Sequence, residues 1–405
     1  MHVVFVAPYA LETTLRFVRG AADLPGVRLG VISQDPAERF ADALGKRLAF
    51  FQRVRDATNA QELGEAVRAI ARDFSGSVER LIGVLEQLQE PMAEVRERFR
   101  IRGMDLLEAR NFRDKSRMKT VLRQHGLPCA RHALARSPAE ALEFAEECLP
   151  LVVKPPAGAG ARNTFRVDTR EQLAGYLKSA PPMDAAPLLL EEFILGREHS
   201  FDSVTLHGRH LFHSISRYSP GPLEVMQNDW IQWCVVLPRH VHGDEFEDIH
   251  VMGRRALDVL GMGTGITHME WFRRPDGALA ISEVAARPPG AQFTSLLSWA
   301  HDLDFYRAWP RLMVFEEFEP PSRNYAVGAV YLRGRGEGRV TRVEGAEAAQ
   351  RELGELVVEA KIPEVGQSQA TSYEGEGYVI LRHAETRVVE AGLKRLLELV
   401  KVELG

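Results

Sequence analysis

The stretch from Glu270 to Arg287, EWFRRPDGALAISEVAAR, decides how this chain is read. Residues 275–277, PDG, supply a turn; GITHME before them and ALAISEV after them read as strands. A hairpin of that kind sets Glu270 and Glu283 side by side. Paired carboxylates suit a hard dication, because Mg²⁺ takes oxygen ligands, keeps several waters and is held by one or two carboxylates together with phosphates. The same spacing also fits two solvent-facing glutamates, so the upstream residues must choose between the two.

Upstream, Lys154 ends the apolar run PLVVKP, and the loop AGAGARN at 157–163 follows with Gly158 and Gly160. An ammonium group beside small residues, where backbone N–H groups can approach closely, suits nucleotide phosphates. No G-x-x-x-x-G-K-[ST] occurs, nor H-R-D or D-F-G, so neither a Walker loop nor a protein kinase is indicated. In LLLEEFILGREHSFD, 188–202, an apolar strand runs into Glu191, Glu192 and Ile194, turns at Gly196 and brings Glu198 onto a second strand. Such a hinge offers a purine an apolar slot with backbone donors and acceptors at its edge, and offers a ribose a carboxylate.

Together these residues resemble the ATP-grasp superfamily of carboxylate-amine ligases, which includes L-amino acid ligases and biotin-carboxylase-like enzymes. The resemblance runs over essentially the whole chain. It implies that DKSRMK, 114–119, carries the first ATP-binding lysine at Lys115, that Lys154 is the second, and that loop 157–163 lies over the phosphates. It makes Glu191 the acceptor for the adenine amino group, the backbone of Glu192 and Ile194 further adenine partners, and Glu198 the ribose ligand. Glu270 and Glu283 fall on the metal carboxylates and Arg287 on the arginine after them. The family's E-x-N-x-R is broken here by Ala285 in place of asparagine, which removes one oxygen ligand of a second metal and favours an amino acid ligase over a purine-pathway or biotin-carboxylase role. The implied cofactors are ATP and Mg²⁺ (or Mn²⁺). The implied reaction is attack of a carboxylate on the γ-phosphate, giving an acyl phosphate and ADP, followed by displacement of phosphate by an amine. In that scheme Lys154 and Arg287 are catalytic, with Arg287 facing the acyl phosphate because a guanidinium grips two oxygens at once. A carboxylase activating bicarbonate is the alternative, and a non-catalytic nucleotide-binding regulator the third reading.

On the substrate side, His268 shares a face with Glu270 if that segment is extended. Arg217 and Trp230, in HSISRYSPGPLEVMQNDWIQWCV, border the cleft in this reading and are candidate contacts for a carboxylate and an apolar side chain.

With 405 residues the chain exceeds the roughly 250–300 at which one core stops growing. The expected architecture is α/β and α+β multidomain: a parallel α/β domain over 1–105, an ATP-grasp domain over 106–310 with a lid at about 128–187, and a small α+β domain over 311–405. The alternation HVVFVAP, helix, VRLGVIS supports the first. NFRDKSRMKTVLRQHG reads as one helical stretch closed by Gly126, and Val389, Leu393, Leu396, Leu397, Val400 and Leu404 as the packing stripe of a final helix. A net charge of −5 gives no footprint for nucleic acid. No window reaches the roughly twenty apolar residues of a membrane span. MHVVFVAPYA lacks the basic start of a signal peptide, and three cysteines without metal-ligand spacing indicate neither a disulfide framework nor a zinc site. A cytoplasmic protein acting on small-molecule carboxylates and amines, as a possible homodimer, is the expectation.

Overall fold

The computed structural model describes residues 1–74, 76–158, 163–228 and 231–405. The first strands, β1 (His2–Val6), β2 (Arg28–Ser33), β3 (Leu48–Arg53) and β4 (Arg80–Ile82), form a parallel sheet in the order β3-β2-β1-β4. Helices α1 (Glu12–Ala22), α2 (Glu38–Leu44), α3 (Ala60–Asp73) and α4 (Gln89–Phe99) intervene or follow. The nearly continuous apolar runs of β1 and β2 are buried on both faces, as crossover helices require. Phe17 of α1 meets Trp309 edge-on at 5.4 Å, which joins this layer to the rest of the molecule.

The expected single helix over 111–126 is two: α5 (Leu106–Arg113) and α6 (Lys115–Gln124). Asp114 breaks it. Its backbone is extended (φ −88°, ψ 106°) and its carboxylate accepts from the amides of Ser116 and Arg117, so it caps α6 and ends α5 at once. Lys115 therefore opens a helix, and Lys119 follows one turn later on the same face.

Next come β5 (His132–Ala135), α7 (Pro138–Glu147), β6 (Leu151–Lys154), β7 (Phe165–Val167), α8 (Arg170–Ser179) and β8 (Leu188–Glu192). The strands make a small antiparallel sheet, β5-β8-β6-β7, over its own apolar core.

The remaining strands are β9 (Arg197–Leu206), β10 (Arg209–Ser219), β11 (Trp233–Leu237), β12 (Gly265–Arg273), β13 (Leu279–Ala285), β14 (Ala326–Leu332), β15 (Val340–Glu344), β16 (Val357–Lys361), β17 (Gly377–His383) and β18 (Lys401–Leu404). Eight of them form one antiparallel sheet, β13-β12-β9-β10-β11-β14-β17-β16, which runs without interruption across residue 311. Between them lie α9 (Pro222–Gln227), α10 (Glu247–Leu260), α11 (Phe293–His301), α12 (Phe305–Phe315), α13 (Ala346–Leu353) and α14 (Thr386–Leu399). The final apolar stripe is divided: Val389, Leu393 and Leu396 pack from α14, whereas Leu404 lies on β18 and pairs with β15. α14 stops at Leu399 because the chain turns extended at Val400. Among the described residues no helix is long and apolar enough to cross a membrane.

Candidate active site

The PDG turn closes β12 onto β13 as expected, with the Gly277 amide donating to Arg274 O and Gly277 at φ 87°. Glu270 stands directly opposite Glu283, and opposed residues of an antiparallel pair share a face. Immediately beyond, the register slips: Trp271 pairs with Ile281, leaving Ser282 as the extra residue of a bulge. A bulge frees backbone groups, and here Lys119 Nζ donates to Ser282 O.

Around this hairpin the charges interlock. Lys115 Nζ lies 2.7 Å from Glu283 Oε1 and donates to Gly158 O at 2.9 Å. Lys154 Nζ lies 2.8 Å from Glu191 Oε2, and the fully buried Lys119 lies 3.3 Å from Glu191 Oε1. Burial opposes the ionisation of Glu283, but Lys115 and Lys154 override it and bring its carboxyl down to about 2. Burial likewise lowers Lys119, whereas Glu191 and Glu283 outweigh burial and raise Lys154. Arg287 grips Glu86 of the N-terminal layer, with Nη2 at 3.0 Å, and Arg113 holds the other oxygen of Glu86 at 2.8 Å. Three carboxylates, Glu86, Glu191 and Glu283, thus hold five cationic side chains, a surplus that suits a polyanion.

The neighbouring edge is short of positive charge. On the same face of β9, Glu198 is pushed well above the usual carboxylate range, by burial first and then by Glu270. His268 donates toward Asp202 at 2.6 Å, lies 3.7 Å from Glu270 Oε1 and reaches Tyr218 Oη at 3.4 Å. Burial disfavours its charged form, yet Asp202 and Glu270 raise it to about 9. Glu191 Oε1 is buried without an aligned hydrogen-bond donor. The donor set fits both groups that the sequence suggests: opposed carboxylates at Glu270 and Glu283 for a dication, and at Glu191 a buried oxygen without an aligned donor.

The residues named from the sequence divide accordingly. Lys115, Lys154, Glu191, Glu270, Glu283, Arg287 and His268 meet in one network; Glu198 borders it, and Gly158 joins through its carbonyl rather than its amide. The Glu192 amide already donates to Arg131 O at 2.8 Å, so only its carbonyl is left to offer a base; Ile194, buried, follows the end of β8. Arg217 is not brought to the site. Strand alternation places it on the opposite face of β10, beside His199, where it pairs with Glu245 at 3.2 Å. Gly160 and Trp230 lie outside the described residues.

A family model described as ATP-grasp domain matches residues 120–296. Those residues form an ATP-grasp domain. Over 230 residues the chain is 25% identical to the L-arginine-specific L-amino acid ligase of Bacillus subtilis, covering 55% of this chain and 54% of that protein. The chain thus spans about half the length of this curated relative. Among solved structures, the L-amino acid ligase from Bacillus licheniformis superposes with a TM-score of 0.80 at 18% identity, over 100% of this chain and 98% of that one. Carboxyaminoimidazole ribonucleotide synthase from Aspergillus clavatus, solved with ATP, gives 0.73 at 16% identity over 98% and 97%. At such identities the likeness establishes the ATP-grasp fold. Sequence reading missed four members of the network: Lys119, Arg113, Glu86 and Asp202. Lys119 had a signal, four residues beyond Lys115 in DKSRMK. Glu86 and Asp202 had none, since only the folded chain brings them to Arg287 and His268.

Proposed function

We propose that this chain is an ATP-dependent carboxylate-amine ligase that forms an amide or peptide bond with release of ADP and phosphate. One observation carries the reading: the opposed Glu270 and Glu283 face Lys115 and Lys154 across a cluster with more cations than carboxylates. The similarity to an L-arginine-specific L-amino acid ligase supports an amino acid as the carboxylate substrate. A carboxylate oxygen of that substrate attacks the γ-phosphorus, the bond to the β-γ bridging oxygen breaks, and ADP leaves; the amine then attacks the acyl carbon and phosphate departs, the amine proton passing to solvent. Bound Mg²⁺, or Mn²⁺, on Glu270 and Glu283 supplies charge neutralisation to the phosphate oxygens. Lys115 and Lys154 hold phosphate oxygens, and Arg287, released from Glu86, turns to the developing acyl phosphate. Glu191 accepts from the adenine amino group, the Glu192 carbonyl and the Ile194 backbone border the base, and Glu198 accepts from the ribose. His268, cationic through Asp202, orders Glu270 and adds positive charge rather than serving as a base. Three unpaired cysteines support a reducing, cytoplasmic setting, and the reading includes small-molecule partners and a homodimer.

ADP release across a panel of amino acids, with hydroxylamine present, tests this. The expected result is hydroxamate and ADP in equal amounts with the right acid. AMP as the main product overturns the mechanism, and ADP release driven by bicarbonate alone moves the assignment to a carboxylase.

A further inference from the structure

The face of the large sheet turned away from the active site carries a cluster that the proposed reaction does not use. His213 comes from β10, His242 from the segment between β11 and α10, and His250 from α10; ring nitrogens of all three lie within 4.8 Å of one another. Phe201 of β9 stacks on His213 at 5.4 Å, and the His213 and His250 rings lie 4.3 Å apart. Stacking accounts for the rings but not for their nitrogens. Nε2 of His213 and Nε2 of His250 are both buried without a hydrogen-bond partner, and His250 is only 7% exposed. Buried polar atoms in a folded protein are nearly always satisfied, so two orphans on the rings of one cluster call for a ligand. Burial, and then the neighbouring imidazoles, push His213 down to about 3 and lower His250, so both rings are neutral at ordinary pH. Neutral imidazole is the form that binds a metal. Arg254 is the nearby cation, and Glu247 and Asp248 near His250 offset it.

We propose that His213, His242 and His250 form a binding site for a divalent transition-metal ion of the zinc type, with water as fourth ligand. Imidazole donors suit zinc, and its three-histidine sites are tetrahedral with one open position. Zinc–nitrogen bonds of about 2.0–2.1 Å put tetrahedral ligands about 3.4 Å apart. The histidines therefore close by at most about 1.4 Å, which rotation of the exposed His242 and small shifts of the His213 and His250 rings can supply. His210 Nε2, 3.4 Å from His213 Nδ1, fits the supporting contact that orients a ligand imidazole. An ion there ties α10 to the sheet whose other face carries Glu270, and acts as a structural clamp.

The test uses the full chain, freed of metal with a chelator and dialysed against zinc in the presence of excess Mg²⁺. One zinc per chain is expected, with a rise in thermal midpoint and, on cobalt(II) substitution, the strong visible absorption of a tetrahedral site. His242→Gln, at an exposed position, should fold normally and bind zinc more than about tenfold more weakly. His250→Gln should behave likewise. Zinc kept by both histidine variants but lost in Glu270→Gln would put the ion on the active-site carboxylates and overturn the proposal, as would the absence of any bound zinc.

Discussion

Glu270 and Glu283 occupy opposed positions but carry different structural duties. Glu283 is 19% exposed and bound to Lys115 at 2.7 Å, whereas Glu270 is 29% exposed and its ion pair, to His268, is looser at 3.7 Å. Both Gln variants should lose Mg-dependent ADP formation by at least about a hundredfold. Glu283→Gln alone should also lower unfolding stability, by about 1–2 kcal/mol in urea titrations, while Glu270→Gln stays within about 0.5 kcal/mol. Equal turnover in wild type and both variants would remove the metal assignment. A second residue sets a pH dependence. Glu108 accepts from the Gly263 amide at 2.7 Å, and burial lifts its carboxyl to about 7. The folded chain thus holds this proton more tightly than the unfolded chain does, so the stability it contributes is complete below about 4.5 and is lost as pH rises through about 7. The difference in thermal midpoint between wild type and Glu108→Gln should therefore drift across pH 4.5–7.5 in the direction of wild-type loss; a difference independent of pH would show that Glu108 titrates normally. Residues of this kind are hard to read in a sequence. Glu270, Glu283 and Lys154 were legible because a turn and an apolar strand fix their places locally, whereas Glu86 and Asp202 depend on contacts more than sixty positions away.

At the scale of elements, small backbone features position the site. The bulge at Ser282 frees the carbonyl that Lys119 uses, and the Asp114 cap sets Lys115 and Lys119 on one face of α6. Gly221, just before α9, leaves room for Glu198: a Cβ there would come within 2.6 Å of Glu198 Oε2. Gly221→Ala should push that carboxylate aside and weaken ATP binding by about 1.5–3 kcal/mol, roughly ten- to a hundredfold, with little change in thermal midpoint. Calorimetric ATP affinity equal to wild type would show that Glu198 does not hold the nucleotide. The hairpin was predicted from PDG, but its bulge was not, since one extra residue in a strand leaves no mark in alternation when Ser282 and Glu283 are both polar. The division at Asp114 was available from capping chemistry and was hidden by the helical character on either side. The stretch holding Arg217 borders the cleft in the fold that the resemblance implies, and strand parity turns the side chain away.

At the scale of the whole molecule, the large sheet joins segments that the sequence pattern separates. β11 is buried along its full length and pairs on one side with β14, beyond residue 311. A chain ending at residue 310 should therefore expose a long apolar edge and associate or precipitate rather than remain monomeric, as size-exclusion chromatography would show. A soluble, ATP-binding 1–310 fragment would establish that the last ninety-five or so residues fold apart from it. The parallel α/β layer at the start and the apolar stripe of α14 were legible because each is a local periodicity. The shared sheet was not, because pairing between distant strands has no local signature.

That pairing also sets a clock. About ninety residues separate the end of β11 at Leu237 from the start of β14 at Ala326. At roughly 5–20 residues per second, a ribosome leaves the outer edge of β11 without its neighbour for about 4 to 18 seconds. The hairpin β12–β13 emerges within that interval, so the nascent chain carries Glu270 and Glu283 while the middle of its sheet is still open. A cell that makes this protein has to keep other strands, including those of the next chain on the same message, away from that edge until Ala326–Leu332 arrives.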